Sequence, residues 1–244
     1  MELGVVLFTV GAYGLALYVG WQTRAANFVV ALLGGHLAVL ASPLWQMLYG
    51  FSYDPALSTM YTWVRSDDVS HSLPWPVFIG GWIMILPAVV IFYLYRRRWW
   101  FSGYLTGLLT LGLFVLYHLL VETLGIRAGW WRYAADTSLP LGVSTVMLAA
   151  LMNGLLSLGM LTALVLTRHY APGSLLLFLL PVPLALVLLI HGLLGAPLYT
   201  VLLLRAQSWA GVIGMIGTLG LLAWGAHIVA SGLAQQRDVG QPAL

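Results

Sequence analysis

The scarcity of charged side chains divides this chain into long apolar stretches, and this limits its fold more than any other feature. Only 7% of the 244 residues are charged and 61% are hydrophobic, and the mean hydropathy is +0.95. A soluble domain carries roughly a quarter of charged residues, whereas a helix that crosses a bilayer needs about 20 mainly apolar ones. The sequence therefore predicts an all-α, polytopic membrane protein.

Seven apolar segments are predicted to cross the membrane as one helical-bundle domain over residues 1–244. They cover residues 3–21, 26–48, 76–95, 101–125, 141–167, 174–195 and 209–232. The sixth contains Pro181 and Pro183 and is followed by Pro197, which predicts a kink or a shift toward Leu204. The first begins at Glu2 instead of a basic residue and has no small-residue cleavage site, so it is interpreted as a span and not as a signal peptide.

The distribution of arginine between the predicted joints favours an N-out, C-in orientation, since cytoplasmic loops are rich in basic residues. With the N-terminus outside, the inner joints hold Arg24, Arg96, Arg97, Arg98, Arg168 and Arg237, and the outer joints hold Arg65, Arg127, Arg132 and Arg205. Residues 49–75 and 126–140, the two long joints, then lie outside. The predicted location is a prokaryotic plasma membrane, with several crossings.

Composition also excludes several classes of function. The absence of cysteine excludes disulfides and cysteine nucleophiles, and the absence of lysine excludes a retinal Schiff base. A scattered net charge of +3 does not fit nucleic-acid binding. No repeated acidic motif for Mg-diphosphate is present, which disfavours chemistry that ionises a diphosphate. The expected partners are a lipophilic small molecule and membrane lipids.

Ionisable side chains at membrane depth are candidate functional groups, because each costs about 2.5 kcal/mol or more near the helix centre. They are His36, His118, Glu122, His191 and His227, joined by the polar amide of Asn153. His118 and Glu122 are four residues apart and share a helix face, with about 5–6 Å between their Cβ atoms. Glu122 is predicted to be a general acid and His118 to set its proton. Alternatively, His118 satisfies Glu122 structurally, or Glu122 lies at the headgroup level near Gly125.

An aromatic stretch with two arginines follows this helix directly. Trp130, Trp131 and Tyr133 are predicted to form the walls of an isoprenoid pocket, because aromatic faces stabilise carbocations. Arg132 is expected to contact the substrate and to pair with Asp136 or Glu122. The alternative interpretation is an interfacial belt of tryptophan with snorkelling arginine.

Asp67, Asp68 and His71 form a polar cluster in the other outer joint. Two carboxylates with a nearby histidine can exchange protons or bind a divalent cation, and we expect them to supply protons at the mouth of the site. The alternative is a helix N-cap with a solvated loop. No metal site is predicted.

His36 and His191 lie near mid-bilayer, where two histidines on different helices can hold a haem b. Gly34 and Gly35 beside His36, and Gly192 beside His191, favour close helix approach, which haem binding and plain helix packing both use. A hydrogen-bonded packing role is the more common one for such histidines. Haem b is therefore kept as an alternative to a site without a cofactor.

The residues around Glu122 resemble two families of membrane enzymes. Glu122, Gly125, Gly129, the aromatic residues 130–133 and Pro140 to Val143 are similar to the lycopene cyclase and carotenoid hydratase families, which have an acid near a helix end, a Gly-aromatic turn and a Pro/Gly-Val helix start. The resemblance covers about residues 117–145, and residues 144–153 lack the paired Glu of lycopene cyclases. The His118 and Glu122 pair also resembles the emopamil-binding sterol isomerase family. Both resemblances imply proton-driven rearrangement or hydration of a double bond.

Three functions follow from these features. The first is a membrane enzyme that cyclises, isomerises or hydrates an isoprenoid-like substrate, with Glu122 as acid and Asn153 and His191 among the substrate contacts. The second is a haem-binding electron carrier, and the third is a non-catalytic subunit or small transporter. For the enzyme we expect a pocket in the outer half of the bilayer, apolar below and polar at its mouth.

Overall fold

The structure is a computed structural model that describes residues 2–64, 70–100, 103–133, 139–168, 172–204 and 208–235, and these are mainly helical. The helices are α1 (Glu2–Thr23), α2 (Asn27–Val39), α3 (Ser42–Tyr49), α4 (Trp75–Ile79), α5 (Leu86–Arg96), α6 (Tyr104–Arg127), α7 (Thr145–Leu166), α8 (Pro172–Leu179), α9 (Val182–Val187), α10 (Ala196–Leu203) and α11 (Ser208–Gln235). Short strands are β1 (Phe51–Tyr53), β2 (Thr59–Val64), β3 (Ser70–Pro74) and β4 (Trp131–Tyr133).

Several of these helices are long and apolar enough to cross a membrane. They are α1, α6, α7, α11 and the stretch Gly173–Leu194, and a sixth span results if α2 and α3, which meet at 47°, are taken together. The first, fourth, fifth and seventh predicted segments match α1, α6, α7 and α11 closely. The protein is thus a mainly helical, multi-pass membrane protein, as predicted, although the four strands correct the purely helical fold class.

The third predicted segment is not one continuous helix. It consists of α4, a 3-10 turn over Gly81–Met84 and α5, and α5 alone has only 11 residues. Pro87 has no N–H to donate to the carbonyl of Ile83, four residues earlier, and its ring clashes with that turn of a helix. Gly81 also lies against Gly35, where a Cβ on either glycine would come within 2.8 Å of the other's carbonyl oxygen. We refer to residues 78–85 as the break.

Side chains from four other helices satisfy the carbonyl groups of the break. A carbonyl without a partner is costly where no water is available. The four hydrogen bonds run from His36 Nδ1 to Phe78 O (2.7 Å), from Thr9 Oγ1 to Ile79 O (3.1 Å), from Tyr117 Oη to Ile83 O (3.0 Å) and from Ser157 Oγ to Met84 O (3.1 Å). The break is therefore fixed in place by α1, α2, α6 and α7.

The sixth predicted segment is kinked, as its prolines predict. It is divided into α8, α9, a π-helical stretch over Leu188–Leu194 and α10, which ends at Leu203. Pro183 of this segment packs on Gly34, where a Cβ would lie 2.8 Å from the proline ring. The π-helical stretch carries His191, and such stretches are frequent at functional sites.

The two ends of the bundle differ in chemistry. One end, which we call the loop face, carries the four strands, and Glu2 at the start of α1 accepts hydrogen bonds there from Ser58. The other end, which we call the arginine face, carries Arg24, Arg96, Arg97, Arg98 and Arg168. Arg96 donates to the carbonyl of Thr23 at the end of α1 (3.0 Å), which places the arginine face opposite the loop face.

The strands of the loop face form two small antiparallel sheets. In one, β1 pairs with β4, so that Phe51 lies opposite Tyr133 and Tyr53 opposite Trp131; in the other, β2 pairs with β3. Gln46 of α3 holds the second sheet against the bundle through both backbone groups of Ser72, at 2.6 and 3.2 Å. The sequence did not predict these strands, because strands this short within long joints carry little periodic signal.

Substitution of Tyr117 by Phe tests the anchoring of the break. Tyr117→Phe leaves the carbonyl of Ile83 without its hydrogen bond, which we expect to lower the free energy of unfolding by about 1–3 kcal/mol. Thermal unfolding in detergent measures the effect. The control is Tyr18→Phe, since Tyr18 is exposed and its hydroxyl accepts a hydrogen bond from Gln22 of its own helix, with no other partner among the described residues. Equal stability of the two variants would contradict the anchoring role.

Candidate functional site

A cavity of about 350 Å³ lies beneath the loop face. Its wall is built from α1, α2, α3, the break, α6, α7, the π-helical stretch and the β1–β4 sheet. Seven of the predicted site residues line it, namely His118, Glu122, Trp130, Trp131, Tyr133, Asn153 and His191. The rest of the wall is mainly apolar and aromatic, with Trp45, Phe51, Leu57, Val77, Ile83 and Met84 among its residues.

Glu122 contributes its carboxyl group to the wall of this cavity. Trp131 Nε1 and Tyr133 Oη both donate hydrogen bonds to Glu122 Oε2, at 3.0 and 2.9 Å. Oε1 has no hydrogen-bond partner among the described residues. Two donors therefore hold one oxygen of a carboxyl group whose residue lines the cavity.

Pairing of β4 with β1 aims these two donors at Glu122. Successive side chains of a strand point to opposite faces, so Trp131 and Tyr133 share one face and Arg132 takes the other. Arg132 is exposed and is not among the residues that line the cavity. Its contact with a substrate and its pairing with Glu122 stay predictions. Asp136, its other predicted partner, lies outside the described residues.

Gly125 makes room for the Trp131 ring. A Cβ on Gly125 would come within 2.0 Å of Trp131 Cζ2, so only glycine allows the ring to fold back onto the end of α6. The reversal of the chain is closed by a hydrogen bond from Trp130 N to Gly125 O (3.0 Å), with Gly129 at a positive φ of 73°. The Gly-aromatic turn thus covers the cavity with aromatic rings.

Two further aromatic residues, which were not identified from the sequence, lie on the side of the cavity that faces the loop face. We call this side the roof. Phe51 and Tyr53 of β1 line the cavity, and the Tyr53 hydroxyl is hydrogen-bonded to Ser42 Oγ (2.7 Å). Burial, followed by the nearby charge of Glu122, raises the pKa of Tyr133 well above its ordinary value. Burial likewise raises the pKa of Tyr53. Both hydroxyl groups therefore keep their protons over the whole physiological pH range.

His118 lies one turn deeper than Glu122 and has a different partner. Its Nε2 is 2.8 Å from Ser157 Oγ, and the single hydroxyl proton of Ser157 is donated to Met84 O. His118 Nε2 must therefore carry a hydrogen and donate it to Ser157, which leaves Nδ1 as the acceptor. His118 and Glu122 face one cavity, as predicted, but they are not hydrogen-bonded to each other. Ser157 was not identified from the sequence, since a serine in an apolar helix gives no specific signal.

Asn153 and His191 form the second polar pair in the deep wall. His191 Nε2 donates to Asn153 Oδ1 (3.1 Å), and its ring lies 4.9 Å from the ring of Trp45, between centroids. Polar groups therefore occur at both levels of the cavity, with His118, Asn153 and His191 at its deep end and Glu122 beneath the aromatic roof. The deep end is thus not the apolar base that was expected. The reason is that the break and the π-helical stretch bring polar groups inward at mid-bundle.

His36 lies outside this cavity, and both of its ring nitrogens are engaged. Nδ1 donates to Phe78 O, and Nε2 accepts from the hydroxyl of Tyr13 (2.8 Å), whose ring stacks on the imidazole. A haem ligand needs one free ring nitrogen. His36 would have to break a hydrogen bond of the break or of α1 to bind iron, so its geometry does not fit that role.

The remaining candidates among the described residues, His71 and His227, do not line the cavity. His71 is buried in β3 beside Trp63, opposite it in the sheet, and does not line the cavity, while Asp67 and Asp68 lie outside the described residues. His227 is hydrogen-bonded to Tyr104 (3.0 Å) away from this site. Within the described ranges no three His, Asp or Glu side chains are grouped as metal ligands.

Comparison with protein-family models, with curated proteins and with solved structures finds no match to this chain. Function must therefore be argued from the cavity itself. Its chemical content is the carboxyl group of Glu122, the imidazoles of His118 and His191, the amide of Asn153 and a wall of aromatic rings. Such a set can add a proton to an apolar molecule and remove one from it.

Substitution of Gly125 by Ala tests the packing of the Gly-aromatic turn. The added methyl group collides with the Trp131 ring, which we expect to displace the ring from Glu122 and to lower the free energy of unfolding by about 1–3 kcal/mol. Thermal unfolding in detergent is the measurement. Gly112→Ala on the same helix is the control, since a Cβ there meets no atom within 4 Å. A Gly125→Ala protein as stable as this control would contradict the packing.

Proposed function

We propose that this protein is an integral membrane enzyme that protonates a carbon–carbon double bond of an isoprenoid-like substrate. The products would arise by cyclisation, isomerisation or hydration. The observation that carries the proposal is the Glu122 side chain, which lines a mainly apolar cavity and is held at one carboxyl oxygen by Trp131 and Tyr133. If residue 122 served packing alone, a leucine would serve better than Glu122. The hydrogen bonds from Trp131 and Tyr133 would then be unnecessary.

The two hydrogen bonds determine where the acid holds its proton. Oε2 already accepts from two donors, so the neutral acid would carry its hydrogen on Oε1, from which we propose that it passes to a substrate in the cavity. Transfer of this proton forms a new C–H bond, uses the π electrons of the double bond and leaves a cation on the adjacent carbon. The resulting carboxylate is stabilised by the two hydrogen bonds it already accepts.

The aromatic rings and His118 would control the fate of this cation. Trp45, Phe51 and Trp131 present π faces that stabilise a positive charge in a site with little water. Removal of a proton by His118 Nδ1 yields an isomer, attack by a second double bond of the substrate closes a ring, and capture of water gives an alcohol. All three outcomes share the first step at Glu122.

The two alternative functions have less support. A haem b carrier based on His36 and His191 would require His36 to give up a hydrogen bond to Phe78 or to Tyr13. A non-catalytic subunit or transporter does not account for a carboxyl group that two aromatic donors orient into a cavity. A reduced-minus-oxidised spectrum of the purified protein separates the haem alternative from the enzyme.

We further propose seven crossings with the N-terminus outside a prokaryotic plasma membrane. Six of these crossings are the apolar spans described above. The additional one, third along the chain, is the broken segment formed by α4, the break and α5. Arg24, Arg96, Arg97, Arg98 and Arg168 lie at the arginine face, whereas Arg127 and Arg132 are the two described arginines at the loop face. The positive-inside rule then makes the arginine face cytoplasmic and puts the cavity in the outer half of the membrane.

Glu122→Gln tests the proposed acid. Its amide oxygen can still accept from Trp131 and Tyr133, but the side chain has no proton to transfer. In D₂O, the wild-type protein should introduce deuterium onto carbon of a linear isoprenoid such as squalene or lycopene, as measured by mass spectrometry. We expect Glu122→Gln to abolish this incorporation while thermal unfolding in detergent remains close to that of the wild type.

Glu2→Gln is the matched control, because Glu2 is bonded to Ser58 at the exposed loop face and does not line the cavity. It should retain full deuterium incorporation. Full incorporation by a folded Glu122→Gln protein would exclude Glu122 as the acid. A lack of incorporation by the wild type into every linear isoprenoid offered would contradict the substrate class.

Introduced cysteines test the orientation, since the natural chain contains none. Ala56→Cys places a thiol on the loop face and Arg97→Cys places one on the arginine face, both at exposed positions. A membrane-impermeant maleimide should label Ala56→Cys in intact cells and Arg97→Cys only after permeabilisation. The reverse pattern would invert the proposed orientation, and labelling of both in intact cells would contradict the number of crossings.

A further inference from the structure

We infer that the substrate enters the cavity sideways from the bilayer, between the break and α6, and that its reacting end lies at Glu122 while its tail stays outside. This inference rests on the proposed function and adds to it the class of substrate, an apolar chain longer than the cavity. It follows from which sides of the cavity are closed, from its volume and from the residues at its rim.

Protein closes the cavity toward both ends of the bundle. Toward the loop face, Phe51, Tyr53, Leu57 and Trp131 form the roof, and Leu57 is buried in it. Toward the arginine face, His118 is bonded to Ser157, and His191 to Asn153, so the deep wall consists of mutually bonded side chains. In the part of the chain that the structure describes, side chains therefore cover the cavity toward both ends.

The gap between the break and α6 has a defined lower edge and an apolar rim. Below, the hydrogen bond from Tyr117 to Ile83 joins α6 to the break (3.0 Å). One turn and two turns above Tyr117 on α6, Val121 and Leu124 line the cavity. On the other side of the gap, Val77 of α4 and Ile83 of the break line the cavity as well, and both are partly exposed.

Leu124 identifies the side on which the cavity opens. It belongs to the cavity wall, yet 55% of its surface is exposed, so it lies on the boundary between the cavity and the surroundings of the bundle. Leu116 and Leu120, on the same helix, are 62% and 57% exposed and continue an apolar surface that faces lipid. A hydrocarbon tail that leaves past Leu124 therefore passes directly into lipid, which is as apolar as leucine.

The volume of the cavity limits what it can enclose. At about 350 Å³ it lies near the lower end of the ~300–1,000 Å³ of sites that enclose a drug-sized ligand. A long polyene does not fit, but one end of it does, with a double bond next to Glu122. The volume of the cavity therefore favours a long-chain substrate that reacts at its end over a compact polycyclic substrate.

Photolabelling in lipid nanodiscs tests the lateral entry without requiring turnover. The probe is a straight-chain hydrocarbon with a diazirine at one end, and the adducts are mapped by peptide mass spectrometry. In the wild-type protein we expect adducts at Glu122 and in β1 as well as on the lipid-facing side of α6. Leu124→Trp fills the rim of the opening and should remove the adducts in the cavity while those on the surface remain.

Leu120→Trp is the matched control, since Leu120 is equally exposed and lies one turn away on the same helix. It should leave the cavity adducts at the wild-type level. Unchanged cavity labelling in Leu124→Trp, or a wild-type cavity that is not labelled, would overturn lateral entry.

The outcome for lateral entry is separate from the outcome for the proposed chemistry. Cavity adducts that Leu124→Trp removes, in a protein that incorporates no deuterium into isoprenoids, would support the opening and contradict the acid function. Deuterium incorporation that persists in Leu124→Trp would support the acid function and overturn the opening.

Discussion

The architecture depends on how the carbonyl groups of the break are satisfied at membrane depth. Pro87 and the glycines before it prevent a continuous helix, and the bilayer offers no water to compensate the freed groups. Thr9, His36, Tyr117 and Ser157, on four different helices, supply the missing donors. These bonds join α1, α2, α6 and α7 around one irregular segment, so the polar side chains that look like isolated anomalies in the sequence form one structural unit.

The cavity is a consequence of this unit. A continuous third helix would pack along α6 and fill the space, whereas the break withdraws the chain and exposes Gly80, Ile83 and Met84 as its wall. Ser157 contributes to both the scaffold and the site. By donating its only proton to Met84, it sets the tautomer of His118 and leaves Nδ1 as the acceptor. Stability and candidate chemistry therefore share the same hydrogen bonds.

A second long-range feature, the pairing of β1 with β4, determines the environment of Glu122. The strands are three residues long and come from joints about 80 residues apart. Their pairing aims Trp131 and Tyr133 at one carboxyl oxygen and turns Arg132 outward. A cation next to Glu122 would hold it as a carboxylate, whereas two neutral donors orient either form of the acid, so this geometry underlies the proposed proton transfer.

The sequence by itself determined the membrane class, the approximate bounds of α1, α6, α7 and α11, the kink of the sixth segment and the placing of His118 and Glu122 on one face. These are local properties, set by apolar length, proline chemistry and helical periodicity. Only the tertiary structure decided that His118 bonds to Ser157, that His36 anchors the break and that Arg132 points away. Each of these depends on which groups meet across the bundle, and an unpaired polar group in the membrane takes whichever partner the packing brings within reach.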